Sequence, residues 1–192
     1  VRSIGEFAFF GCINLMSIII PDSVTFIGEQ AFSSCDQLAS MMVSTGNPVY
    51  HSAGNCLIET ESKTLIAGCK NSVIPDDGSV IIIGDSSFSG CTSLTGIEIP
   101  DSVTLIGECA FSGCDSLTSI EIPDSVTSIG EYAFYNCTNL TSIEIPDSVT
   151  SIGDSAFAWC DSLTGVTIGD SVTLIGQGAF SNCDSLTSIT IP

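Results

Sequence analysis

The stretch "IEIPDSVTSIGEYAFYNCTNLTSIEIPDSVTSIGDSAFAWC", residues 120–160, says nearly the same thing twice at an interval of 23 residues. Counted from Cys114, the frame runs Cys-x-x-Leu-x-x-Ile-x-Ile-Pro-Asp-Ser-Val-Thr-x-Ile-Gly-x-x-Ala-Phe-x-x, and Cys137 starts it again. Working outward, cysteine holds this place at 12, 35, 91, 114, 137, 160 and 183. Leucine follows three residues later in each unit, and phenylalanine recurs at 9, 32, 88, 111, 134, 157 and 180. A fixed period of this length is the mark of a stacked-repeat architecture.

Each unit reads as three short pieces. "LTSIEIP" alternates apolar and polar residues, which is a strand buried on one face. Proline ends it because it cannot donate to a ladder. "PDS" is turn chemistry, and "VTSIG" is a second short extended piece. "EYAFYNC" is too short for an independent helix, but a single turn of α- or 3₁₀-helix fits it. One unit cannot bury its own apolar residues. Stacked units bring each Leu, Ile, Phe and Cys against its equivalent, with strands spaced ~4.8 Å apart. Each buried Phe or Leu then contributes roughly 1.5–3 kcal/mol.

Composition removes several functions. The 192 residues are 44% hydrophobic, but the apolar runs ("SIII", "VIIIG") are far shorter than the ~20 residues of a membrane span. Only Arg2, Lys63 and Lys70 are basic against 22 acidic residues, a net charge of -19. Nucleic-acid binding relies on neutralising phosphates and is not expected. Anionic membrane surfaces are disfavoured for the same reason. Charge of this size also keeps an apolar repeat protein soluble.

The pattern L-x-x-I-x-I-P-x-x-V-x-x-I-G-x-x-A-F-x-x-C resembles the leucine-rich repeat of the BspA-like, or Treponema pallidum, type across almost the whole chain. The resemblance implies an α/β solenoid. This is a right-handed leucine-rich-repeat superhelix with a parallel sheet on its concave side and short helical, 3₁₀ or extended segments on its convex side. It further implies a bacterial protein, at the cell surface or secreted, that works in adhesion and protein binding.

A single domain over residues 1–192, with about eight units, is expected. The frame breaks between Cys35 and Cys91, where 56 residues stand in place of 46. Two irregular units, 44–74 and 75–99, absorb the excess. In the first, "CLIET" and "TLIAG" around "ESK" predict a hairpin. Insertions in repeats map to one face and often to a binding face, although added loop length is also thermodynamically cheap. Tyr50, His51, Glu59 and Lys63 are the candidate contacts there. Val1 aligns with Val103 and the chain closes on a strand, with no polar cap at either end. A longer parent protein is therefore expected, and the last strand would be open to edge pairing.

Candidate chemistry is thin. Seven of the ten cysteines occupy one core position, where free Cys behaves as a small hydrophobe. Their parallel Cβ vectors suit disulfides poorly, and no CxxC or CxxH spacing suggests zinc. Cys56 and Cys69 flank the hairpin and are candidates to pair. His51 is the only histidine and lacks the partners of a catalytic triad. The repeated Asp22, Asp101, Asp124, Asp147 and Asp170 read as turn residues rather than a calcium loop. "NCT" and "NLT" at Asn136 and Asn139 match glycosylation acceptors but lie inside the repeat frame. No catalytic residue, metal or cofactor is assigned, and no enzyme is expected.

The position between the two strand isoleucines should face out of the sheet. It is filled by Ile19, Met42, Glu98, Glu121, Glu144, Thr167 and Thr190. This graded row, apolar at one end and acidic in the middle, is the candidate protein-binding face. The partner class it implies is a protein ligand, such as a host matrix or surface protein. The competing reading is a spacer that holds another domain away from a cell.

Overall fold

A computed structural model describes all residues, Val1–Pro192. Fifteen strands follow in order: β1 (Ser3–Ile4), β2 (Ser17–Ile20), β3 (Phe26–Ile27), β4 (Ser40–Val43), β5 (Tyr50–Ala53), β6 (Cys56–Glu59), β7 (Thr64–Ala67), β8 (Ile82–Ile83), β9 (Leu105–Ile106), β10 (Ser128–Ile129), β11 (Ser142–Ile145), β12 (Ser151–Ile152), β13 (Gly165–Ile168), β14 (Leu174–Ile175) and β15 (Ser188–Thr190). "SIEIP"-type segments make β2, β4, β11, β13 and β15, while "SIG"-type segments make β1, β3, β8, β9, β10, β12 and β14. Each regular coil pairs in parallel with its neighbours, with residues 23 apart as partners, such as Ser128 with Leu105 and Ser151.

No segment is helical, so the chain is a β-solenoid, and the expected α/β class with helical convex turns is corrected. The reason lies in the "EYAFYNC" segment. Tyr132 and Asn136 take left-handed φ values of 53° and 58°, which an α-helix cannot accommodate. Its amides then alternate in direction. Ala133, Tyr135 and Cys137 bond three residues back within the coil. Tyr132, Phe134 and Asn136 reach Asp154, Ala156 and Ala158 of the next coil at 2.9, 2.7 and 2.9 Å. Every second backbone group is thus spent between coils rather than inside a helix.

The interior is a set of ladders. Phe88, Phe111, Phe134, Phe157 and Phe180 stack with centroids 5.1–5.3 Å apart and nearly parallel planes, each pair adding roughly 0.5–1.5 kcal/mol beyond its burial. On the surface, threonines form another rung set: the exposed Thr127 amide and hydroxyl both donate to the Thr104 carbonyl at 2.9 and 3.1 Å, and Thr150 repeats this on Thr127. Gly130 is required by this closeness, since a Cβ there would lie 2.6 Å from the Gly107 carbonyl carbon.

The expected continuous sheet of "SIEIP" strands is interrupted. It pairs as β2–β4 and as β11–β13–β15, whereas residues 97–99 and 120–122 stay extended with the same alternating burial but join no ladder. The paired patches set Ile19 opposite Met42, and Glu144 opposite Thr167 and then Thr190. The strands that stay unpaired carry Glu98 and Glu121, which would stand beside each other and beside Glu144. Like charges directly opposite one another oppose pairing.

Residues 56–59 and 64–67 pair antiparallel as the predicted hairpin, and β5 adds a third antiparallel strand beyond it. β7 then rejoins the parallel stack against β8. The insert is stitched in by side chains. The Tyr50 hydroxyl accepts from the Ile27 amide at 3.1 Å, and the Ser52 hydroxyl from the Val43 amide at 3.0 Å. Each replaces the strand that β3 or β4 would otherwise meet. Asn47 donates to the carbonyls of Pro21 and Val24 and accepts from the amides of Val49 and Tyr50. The core divides within the insert: Tyr50, Leu57, Ala67 and Cys69 join a cluster of 12 buried residues with the first coils, while Cys56, Ile58, Leu65 and Ile74 join a cluster of 35 with the later ones.

Candidate binding face

The seven residues between the strand isoleucines are all exposed. Ile19 and Met42, at 66% and 55% exposure, give the row its apolar end. Alternation does this: in β11 the pattern Ser142–Ile145 runs exposed, buried, exposed, buried, so Glu144 points out while Ile143 and Ile145 anchor the strand.

The acidic part is larger than the glutamate row alone. Pro100, Pro123 and Pro146 turn the chain so that the aspartate three residues after each glutamate returns to the same surface. One depression of about 560 Å³ is lined by Glu98, Asp101, Glu121 and Asp124. A second of about 630 Å³ is lined by Asp124, Glu144, Asp147, Thr167 and Asp170. Four aspartates read from sequence as turn residues therefore belong to this face. The signal was available in the Glu-x-x-Asp spacing around each proline. One of them also does structural work: the Asp147 carboxylate accepts the Asp170 amide of the next coil at 2.8 Å. The carboxylates are spread over the surface, and nowhere do three His, Cys, Asp or Glu side chains gather as a metal would need.

The insert residues separate. Tyr50 is buried at 5% exposure beneath β3, so it is an internal clamp and not a surface contact. His51 is half-buried, opposite Ile58, with its Nδ1 2.9 Å from the Thr60 hydroxyl. Glu59 is half-buried and accepts from the Ser62 hydroxyl. Lys63 is exposed at the hairpin turn, with Nζ donating to the Gly78 carbonyl at 3.0 Å.

All ten cysteines are free. Cys56 and Cys69 do not pair, and both thiols lie near backbone carbonyls instead. In the regular coils the ladder thiol donates to the phenylalanine carbonyl 26 residues earlier, as Cys114 does to Phe88 at 3.3 Å and Cys160 to Phe134 at 3.2 Å. Burial pushes the Cys91 and Cys160 thiols up to about 12 and holds Cys114 and Cys137 well above the ordinary value. Such thiols are neutral packing groups, not nucleophiles.

The BspA type leucine rich repeat region matches six times, over residues 1–52 and 81–192. This chain belongs to that family. The gap in the match, residues 53–80, coincides with β6, β7 and the turn that follows them. Among solved structures of this repeat type, the chain is similar to a leucine rich cell surface protein of Faecalibacterium prausnitzii, with 37% identity, a TM-score of 0.85, and coverage of 98% of this chain and 51% of that one. It is also similar to the pneumococcal vaccine antigen PcpA, at 25% identity and a TM-score of 0.82, covering 98% of this chain and 48% of that one. A leucine rich repeat protein of T. pallidum is 29% identical, with a TM-score of 0.62 over 98% of this chain and 72% of its own. The chain thus spans about half the length of the first two. No curated protein sequence matches it. No helix is long and apolar enough to cross a membrane.

Proposed function

We propose that this chain is a non-enzymatic protein-binding module, displayed at the cell surface or secreted, that docks the basic surface of a partner protein such as a host matrix protein. The observation that carries this reading is the broad exposed face. Glu98, Glu121, Glu144 and the aspartates Asp101, Asp124, Asp147 and Asp170 border two depressions that share Asp124, and Ile19 opposite Met42 makes an apolar pair in an earlier part of the same row. Seven like charges on one side of a protein with net charge -19 steer cationic partners and reject anionic ones. His51, Glu59 and Lys63 at the hairpin supply a second, less acidic contact region. The relatives named as a cell surface protein and a vaccine antigen support the extracellular setting.

The test is binding of the Glu121→Lys/Glu144→Lys protein to a panel of purified matrix proteins, measured by surface plasmon resonance at several salt concentrations. The expected result is retained folding, at least tenfold weaker binding and a flatter salt dependence. Unchanged binding would remove the acidic face from the reading.

A further inference from the structure

The turn ladder that joins successive coils fails at one place. In regular coils it has three rungs, exemplified by Tyr132 to Asp154, Phe134 to Ala156 and Asn136 to Ala158. Between the coil of residues 28–34 and that of 84–90, only the third forms: the Ser34 amide donates to the Ser89 carbonyl at 2.9 Å. The insert coil supplies β7 between them but has no full "GxxAF" segment: its Gly68 amide takes the Ser87 carbonyl at 2.8 Å, the acceptor Phe32 would have used, and the Ser33 hydroxyl reaches the Ser86 carbonyl at 3.4 Å, leaving the first rung open. The coils splay, and the wedge is a notch of about 210 Å³. That is room for about seven waters at their liquid volume.

Hydrogen-bonding groups line this notch without partners. The amides of Gln30 and Phe32, which would make the first two rungs, find no acceptor, and the Asp85 carbonyl finds no donor. Ser87 stands where the other coils carry alanine, at 8, 31, 110, 133, 156 and 179. Its side chain is buried at 4% exposure, lines the notch, and its hydroxyl has no partner. An orphaned buried hydroxyl costs roughly 1–3 kcal/mol, a cost the alanine of the other coils avoids. Glu29 lies on the rim as an exposed carboxylate, and so does Asp85, one of whose carboxylate oxygens accepts the Glu108 amide of the next coil at 2.8 Å while the other stays open. None of these residues belongs to the row of the exposed sheet.

We propose that this notch binds a short extended peptide with a cationic amino end. A planar trans peptide unit carries its carbonyl and its N–H on opposite edges. It can therefore accept from Gln30 or Phe32 on one wall and donate to Asp85 on the other, restoring the missing rung as β-addition does at an open sheet edge. Ser87 completes the polar set, and Glu29 and Asp85 select the positive end. Thr64, Ile66 and Ala67 form the third wall and limit the occupant to about two residues.

The experiment titrates lysyl-alanyl-glycine, glutamyl-alanyl-glycine and free lysine into ¹⁵N-labelled protein. The expected result is saturable shifts of the Gln30, Phe32 and Ser87 amides with the lysyl tripeptide, and at least tenfold weaker binding of the other two. Ser87→Ala should weaken the tripeptide at least fivefold while leaving the melting temperature of the free protein unchanged or higher, an effect that a merely structural serine would not produce. Ala67→Leu should fill the notch and abolish binding. Equal binding of free lysine, shifts confined to the Glu98–Glu144 face, full affinity in Ser87→Ala, or no saturation by 20 mM would each overturn the proposal.

Discussion

The Cys137 thiol donates to the carbonyl of Phe111, 26 residues earlier and one coil away, at 3.2 Å. The same carbonyl accepts the Cys114 amide, so both its lone pairs are used between and within coils. Cysteine suits this position because it is apolar enough to bury and still carries a donor. Cys137→Ala removes the donor and leaves a small void in a fully buried site. A loss of about 1–2 kcal/mol is expected, read by urea denaturation; no change in midpoint would mean the bond contributes nothing.

The buried thiols make the protein sensitive to alkali. Folded Cys91 and Cys160 titrate near 12, against an ordinary value of 9.0. Below pH 9 both states hold these protons. Between pH 9 and 12 the unfolded chain releases them and the folded chain does not, so stability falls as pH rises, by up to about 1.4 kcal/mol per pH unit for each thiol. Melting curves from pH 8 to 11 should show this decline, and it should be shallower in Cys91→Ala/Cys160→Ala.

Glu121 stands where the outer sheet fails to pair. Glu121→Thr should let residues 120–122 join their neighbours, as Thr167 does beside Glu144. The expected gain is about 0.5–1 kcal/mol, with new amide protection at 120–122 in hydrogen exchange. Continued fast exchange there would assign the interruption to something other than charge.

Tyr50 holds the insert to the first coils through one hydroxyl. Tyr50→Phe keeps the ring and strands the Ile27 amide without its acceptor, at a cost of roughly 1–3 kcal/mol. Exchange of the Ile27 amide should quicken first, and the melting temperature should fall by several degrees.

The frame of Leu, Ile, Phe and Cys was legible because one residue type recurs at each core position, and stacking turns recurrence directly into contact. The outward row was legible for the same reason, through strand alternation about Ile143 and Ile145. The helical reading of "EYAFYNC" failed because nothing in Tyr132 or Asn136 announces a left-handed φ; that conformation is imposed by bonds to the next coil. The pairing break at Glu121 and the acidity added by Asp101 and Asp124 depend on what proline turns bring together across 23 residues. Tyr50 reads from sequence as a surface contact of the insert because its acceptor role arises only where β3 lacks a neighbouring strand.

Gly68 occupies the spot where a phenylalanine would sit, and the Phe88 ring lies against it. Phe9 and Phe32 therefore stack as one column and Phe88 through Phe180 as another, with no ring bridging them. Mechanical tension along the axis will part the protein at that seam before either column yields. The molecule should lengthen in two separate jumps, the insert acting as a fuse between a short segment and a long one.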